Sequence, residues 1–238
     1  MDRNNSRTEN SKPKKWFSLF NFKQVLLHPR GLPRLIRVMK YIILDAKYGS
    51  WYLGAKLVHM GNGNSSKGWH GAQSSDYDAL SKMFAEISIR EDDVIVDVGC
   101  GRGRLFNYLL SRGFKNKLIG VDVDQAIAEF TRKRLKKYNQ VEILVADVEN
   151  ENSLPSTGTI FYLFNPFTDR IVRKFADHLI DKIQRGCFNK SDRPIIIYYN
   201  CNSRLYIFEE NSLWKVKKLG AVSHTKLQAA VIEPNLMN

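Results

Sequence analysis

From residue 94 onward the chain alternates between two hydrophobic periods. Short apolar runs at Val94–Asp97, Leu118–Val121, Val141–Ala146, Thr159–Phe164 and Pro194–Tyr199 read as buried strands. Between them, Arg104–Arg112, Gln125–Tyr138 and Ile171–Ile183 carry apolar residues at helical spacing, with Ile171, Phe175, Leu179 and Ile183 at every fourth position. Strands joined by helices predict a parallel sheet covered on both faces, an α/β doubly wound fold. Trp214–Leu219 and Leu227–Glu233 then read as an antiparallel hairpin closing the sheet edge.

Upstream the pattern is different. Ser75 and Asp76, followed by Leu80, Met83, Phe84 and Ile87, predict a capped helix running to the turn at Arg90–Asp93. Before it lies a Gly/Ser-rich stretch, Gly61–Ser75, which holds Trp69 and His70 and reads as a lid or linker. Earlier still, Leu32, Leu35, Ile36, Met39, Ile43 and Ala46 recur at helical spacing, with Pro33 in the first turn and Gly49 at the end. The expected layout is a basic N-terminal extension over 1–48 with an amphipathic helix, a loop over 49–75 and the main domain over 76–238.

Charge sharpens that layout. The formal net charge is +13, and residues 1–48 carry eleven Lys and Arg against three acids, or +8 of it. The excess therefore describes an appendage more than the main domain. Three readings of the extension's helix stay open. Its apolar face packs on the main domain as a lid, or residues 12–48 lie on an anionic membrane surface, or the basic positions track phosphates.

Composition narrows the class. At 43% apolar and 26% charged residues the chain is globular. Cys100, Cys187 and Cys201 show no C-x-x-C spacing, so neither a disulfide framework nor a zinc site is expected. Met1–Lys15 has no apolar core of a secretory signal, and no apolar run approaches the ~20 residues that span a bilayer. A cytoplasmic, at most membrane-peripheral, protein is expected.

The chemistry concentrates at strand ends. Asp97-Val98-Gly99-Cys100-Gly101-Arg102-Gly103 follows the first strand and opens a helix, and its glycines let backbone N–H groups approach a ligand. Asp122, at the end of the second strand, is placed to accept ribose hydroxyls. Asp147, ending the third, can accept from an adenine amino group, with Val148 flanking the ring. A dinucleotide fingerprint competes, but Arg104 occupies the place of its third glycine. Asp97 also suits a cationic ligand better than a pyrophosphate.

This series resembles the class I S-adenosylmethionine-dependent methyltransferases, from about Ser75 to the C-terminus. The resemblance implies a Rossmann-like sheet of seven strands with a C-terminal antiparallel hairpin, and S-adenosyl-L-methionine as cofactor. Asp97, Gly99, Cys100, Gly101 and Gly103 would then hold the methionine moiety, Asp122 the ribose, and Asp147 with Val148 the adenine. Phe164-Asn165-Pro166-Phe167 resembles the N/D-P-P-Y/F motif of nitrogen-modifying methyltransferases, with one proline fewer, so Phe167 falls one residue early. Asn165, Pro166 and Phe167 are the candidate catalytic residues.

Tyr198, Tyr199, Asn200, Trp69, His70 and Tyr77 are candidates for the rest of the acceptor pocket, with His70 as a general base. The basic run Arg132–Lys137 reads as a solvated helix end, and Cys100 as a space-filler. The expected activity is methyl transfer to a nitrogen acceptor, a protein amine or small molecule ahead of nucleic acid. Two alternatives stay open: a non-catalytic or membrane-peripheral S-adenosylmethionine-binding module, and a nucleic-acid methyltransferase.

Overall fold

The computed structural model describes residues 31–49, 74–150, 153–164, 167–188, 194–224 and 226–235. The chain divides into two compact units, Met1–Lys40 and Tyr41–Asn238. In chain order the elements are α1 (Gly31–Lys47), α2 (Tyr77–Phe84), β1 (Val94–Val98), α3 (Arg104–Ser111), β2 (Lys117–Asp122), α4 (Gln125–Leu135) and β3 (Val141–Val145). There follow β4 (Ile160–Phe164), α5 (Asp169–Gln184), β5 (Ile195–Tyr199), α6 (Tyr206–Glu209), β6 (Trp214–Ala221) and β7 (Gln228–Pro234).

Seven strands form one sheet in the order β3-β2-β1-β4-β5-β7-β6. β1 to β5 pair in parallel, and β7 runs antiparallel to both β5 and β6. The doubly wound fold with its closing hairpin is therefore present. Strand order reverses between β1 and β4, so the carboxyl ends of β1, β2 and β4 border the crevice where open α/β sheets take ligands.

Alternation along the strands sorts the core into two layers. Val96 and Val98 of β1, with Phe161 and Leu163 of β4, pack against Ile171, Val172, Phe175 and Leu179 of α5. Ile95 and Ile160 belong to the opposite layer, with Leu80 and Met83 of α2 and Leu105, Phe106 and Leu109 of α3. Asp97 shares the face of Ile95 and so lies beneath α2 and α3 rather than α5.

Some boundaries differ from the sequence pattern. α2 ends at Phe84, and Ile87 packs against the core from the following turn. The short helix α6 has no apolar period long enough to announce it. α1 runs through Pro33 and is closed by Gly49, in the left-handed region at φ +72°, whose N–H donates to the Ala46 carbonyl at 2.9 Å.

Ile43, on the apolar stripe, is 62% exposed, whereas Tyr48 and Asp45 are buried. Tyr41 and Leu44 pack against the core layer of α2 and α3, and Asp45 beside them is held by polar groups. Asp45 accepts from Arg104 at 2.6 Å, from Tyr77 at 2.6 Å and from Asn107 at 3.2 Å. A buried carboxylate so fully partnered is stable where a lone one is not.

Candidate functional site

The turn from β1 to α3 is built on backbone conformations that side chains resist. Gly99, Gly101 and Gly103 have φ of 78°, 50° and 71°. At Gly103 a Cβ would also meet Phe106 at 2.8 Å and Thr131 at 3.0 Å. The loop is tied to β2, with the Gly99 and Cys100 N–H groups donating to the Val121 carbonyl at 2.8 and 3.0 Å. Gly103 caps α3 without a side-chain bond, which leaves the first N–H groups of that helix for a ligand.

Asp122 closes against this loop. One of its oxygens accepts from Gly101 N–H at 2.7 Å and the other from Asp124 N–H at 2.9 Å. A carboxylate has about four acceptor positions, so both oxygens retain lone pairs for hydroxyl donors. Asp147 accepts from Glu149 N–H at 3.0 Å in a tight turn after β3, and Val148 is buried in the core layer of Val121 and Leu154.

Asp97 is the electrostatic centre. It is 5% exposed, and among the described residues no side chain or N–H donates to its carboxylate. Burial, and then the neighbouring Asp122, hold its acid well above the usual carboxylate range. Burial raises Asp122 as well, opposed by the N–H groups of Asp124 and Gly101. Two partly unsatisfied acids under a glycine loop are the chemistry that a cation carrying hydroxyl donors would need. Burial and the same two carboxylates push the Cys100 thiol up, so it acts as a filler and not a nucleophile.

The basic run at the end of α4 is not simply solvated. Arg132 donates to the Ile143 carbonyl at 2.7 Å. Arg134 donates to the Arg102 carbonyl at 2.5 Å, the Tyr48 carbonyl at 2.8 Å and Asn107 Oδ1 at 2.7 Å. With Thr131 donating to the Gly101 carbonyl at 2.8 Å, α4 clamps the glycine loop from behind. Arg104, which displaces the third glycine of a dinucleotide fingerprint, instead reaches out to Asp45 and to the Ser75 carbonyl at 3.2 Å. Its presence in that slot was the one sequence signal of this second use.

At the β4 and β5 ends the groups expected to form an acceptor pocket are distributed differently. Asn165, Pro166, Trp69 and His70 lie outside the described residues. Phe167 is buried in the α5 core layer with Ile171. Tyr77 is buried and donates to Asp45. Phe164 stacks on Tyr199 with ring centroids 4.6 Å apart, and the Tyr199 hydroxyl meets Ser223 Oγ at 3.1 Å.

Beside Ser223, His224 Nδ1 sits 2.8 Å from Asp76. Asp76 is buried, caps α2 through Asp78 N–H at 3.0 Å, and accepts the Tyr41 hydroxyl, whose own ionisation is suppressed by burial and by Asp76. Since β6 runs parallel to β5, the loop after it that holds Ser223 and His224 returns to the carboxyl edge. This Asp–His pair joins residues 148 positions apart and left no local signal in the sequence. Among the described residues no cluster of His, Cys, Asp and Glu could hold a metal ion, and no helix is long and apolar enough to cross a membrane.

Residues 95–184 match the family described as "Methyltransferase domain". Ribosomal RNA small subunit methyltransferase A of Thermotoga neapolitana is 30% identical over 168 residues, covering 67% of this chain and 64% of that protein. Ribosomal RNA small subunit methyltransferase H of Clostridium botulinum is 27% identical over 146 residues, covering 58% and 46%. The chain thus spans less than two thirds of the length of these curated relatives. A solved candidate rRNA methylase from Clostridium thermocellum shares the fold with a TM-score of 0.50 at 13% identity, covering 70% of this chain and 100% of that one.

Proposed function

Because residues 95–184 belong to the class I S-adenosylmethionine-dependent methyltransferase family, we propose that this chain is an enzyme transferring a methyl group from S-adenosyl-L-methionine to a nitrogen acceptor. The observation that carries the reading is Asp97, a buried carboxylate without a described donor, set under three left-handed glycines and beside Asp122. That set matches a ligand with a cationic amino-acid tail and a ribose, and repels a pyrophosphate.

When bound, the cofactor supplies a methyl group activated on a sulfonium. The chain's own residues do the rest. Asp97 and the α3 N–H groups hold the amino-acid tail, Asp122 accepts the ribose hydroxyls, and Asp147 accepts from the adenine. The Asn165 side chain would hold the acceptor's N–H and so set the attack direction, a role in which alignment supplies most of the acceleration. His224, with Nδ1 fixed by Asp76, is assigned as the group that takes the acceptor's proton on Nε2.

For the acceptor, the sequence motifs alone favour a protein amine or small molecule. The names of the matched relatives shift the weight to RNA. Incubation of the full chain with methyl-tritiated S-adenosylmethionine and separated RNA, protein and small-molecule fractions decides between them. Label entering the RNA fraction, and lost in Asp97→Asn, is the expected result. Label in no fraction, with intact cofactor binding, would favour a non-catalytic binding module.

A further inference from the structure

We propose that helix α1 is an interfacial anchor that lays its apolar stripe on an anionic lipid surface. Leu32, Leu35, Ile36, Met39 and Ile43 fall within about a third of the helix circumference. Leu32, Ile36, Met39 and Ile43 are each half or more exposed, and with Val38 they are five of the eight large apolar residues that the described structure leaves exposed. Scattered exposed apolar side chains are ordinary, but one continuous stripe on a single helix marks an interaction surface.

The charge distribution selects the occupant. The helix holds Arg34, Arg37, Lys40 and Lys47, and Asp45 is its one acid. Asp45 is buried in its ion pair with Arg104, on the side of the helix opposite the stripe. What α1 presents outward is therefore cationic as well as apolar, with Lys40 and Lys47 along one border of the stripe. A second copy of this chain would bring like charges together. RNA would find phosphate partners in the basic residues and nothing in four aliphatic side chains. An acidic lipid headgroup layer over hydrocarbon satisfies both features at once. Tyr41 and Asp45 tie the C-terminal end of the helix to α2 and α3.

Flotation of the full chain with phosphatidylcholine vesicles, with and without about a third phosphatidylglycerol, tests this. Binding is expected only to the anionic vesicles, weakening as salt rises. The double variant Ile36→Glu/Ile43→Glu is expected to bind at least about tenfold more weakly, because it removes buried apolar area. Its cofactor titration and thermal melt should match the parent. Equal binding of parent and variant, or no binding of the parent to anionic vesicles, would overturn the proposal. So would a parent dimer that the double variant splits, or loss of RNA retention in the variant, since the stripe would then serve another partner.

Discussion

The two ends of the crevice are built on different principles. On the β1–β2 side, the loop, Asp97 and Asp122 lie within 26 consecutive residues, and the pieces are joined by backbone bonds such as Gly99 to Val121. On the β4–β5 side, the described polar groups come from four distant segments, with Tyr41 and His224 meeting at Asp76 and Tyr199 meeting Ser223 through side chains. The first arrangement is tightly constrained, because left-handed glycines and a half-buried arginine clamp leave the loop few alternatives. The second is assembled from replaceable side chains. Backbone-built sites vary little with sequence, whereas sites assembled from side chains can change by substitution.

The largest effect should come from removing the clamp. Arg134→Met strips the Arg102 and Tyr48 carbonyls and Asn107 of a half-buried cation, and a loss of about 3 kcal/mol is expected in urea unfolding. If the variant were as stable as the parent, the glycine loop would not depend on α4, and the contrast between the two sides would weaken.

Asp97→Asn comes next and acts in two directions. Cofactor binding should weaken by about a hundredfold, as for loss of one partner from a desolvated charge pair. The ligand-free protein should instead gain stability at neutral pH, because the ionised form of Asp97 is disfavoured in the fold. The pH dependence has the matching sign. Asp97 and Asp122 titrate above their unfolded values, so they add stability below the ordinary carboxylate range and lose it as pH rises through their folded values. Melts of the ligand-free chain should therefore rise on acidification from neutrality towards that range, less so in Asp97→Asn. Below it Glu149 and Asp169, both lowered by cationic and hydrogen-bonding neighbours, lose their contribution and reverse the trend.

His224→Gln should have a smaller reach. Cofactor affinity is expected to stay unchanged while turnover falls by about a hundredfold. A fall in affinity with unchanged turnover would make the Asp76–His224 pair a structural tie. The smallest change is Ile43→Glu alone, which should shift stability by less than about 0.5 kcal/mol because the side chain already faces solvent.

The same contrast explains what could be read from the amino-acid order. The β1–loop–α3 unit and Asp122 are legible because hydrophobic period, glycine spacing and strand ends are all local properties. Asp76 and His224 are not, because nothing near either residue encodes a partner 148 positions away. Arg134 was hidden for another reason: within Arg132–Lys137 it looks like one more solvated cation, and only the packing of α4 behind the loop singles it out. Phe167 supports two readings, because an aromatic after a strand end serves equally to stack on a ligand or to fill a core, and here it is buried among the residues of α5. The apolar stripe of α1 left its partner open, because an apolar period alone does not say what covers it, and the ties of Asp45 to Arg104 and Tyr77 gave no local signal.

The most direct test of the central claim is calorimetric titration of the full chain with S-adenosylmethionine and, separately, with NAD. One molecule of S-adenosylmethionine bound per chain, no heat from NAD, and loss of the signal in Asp97→Asn are the predicted results. Binding of NAD without binding of S-adenosylmethionine would contradict the account.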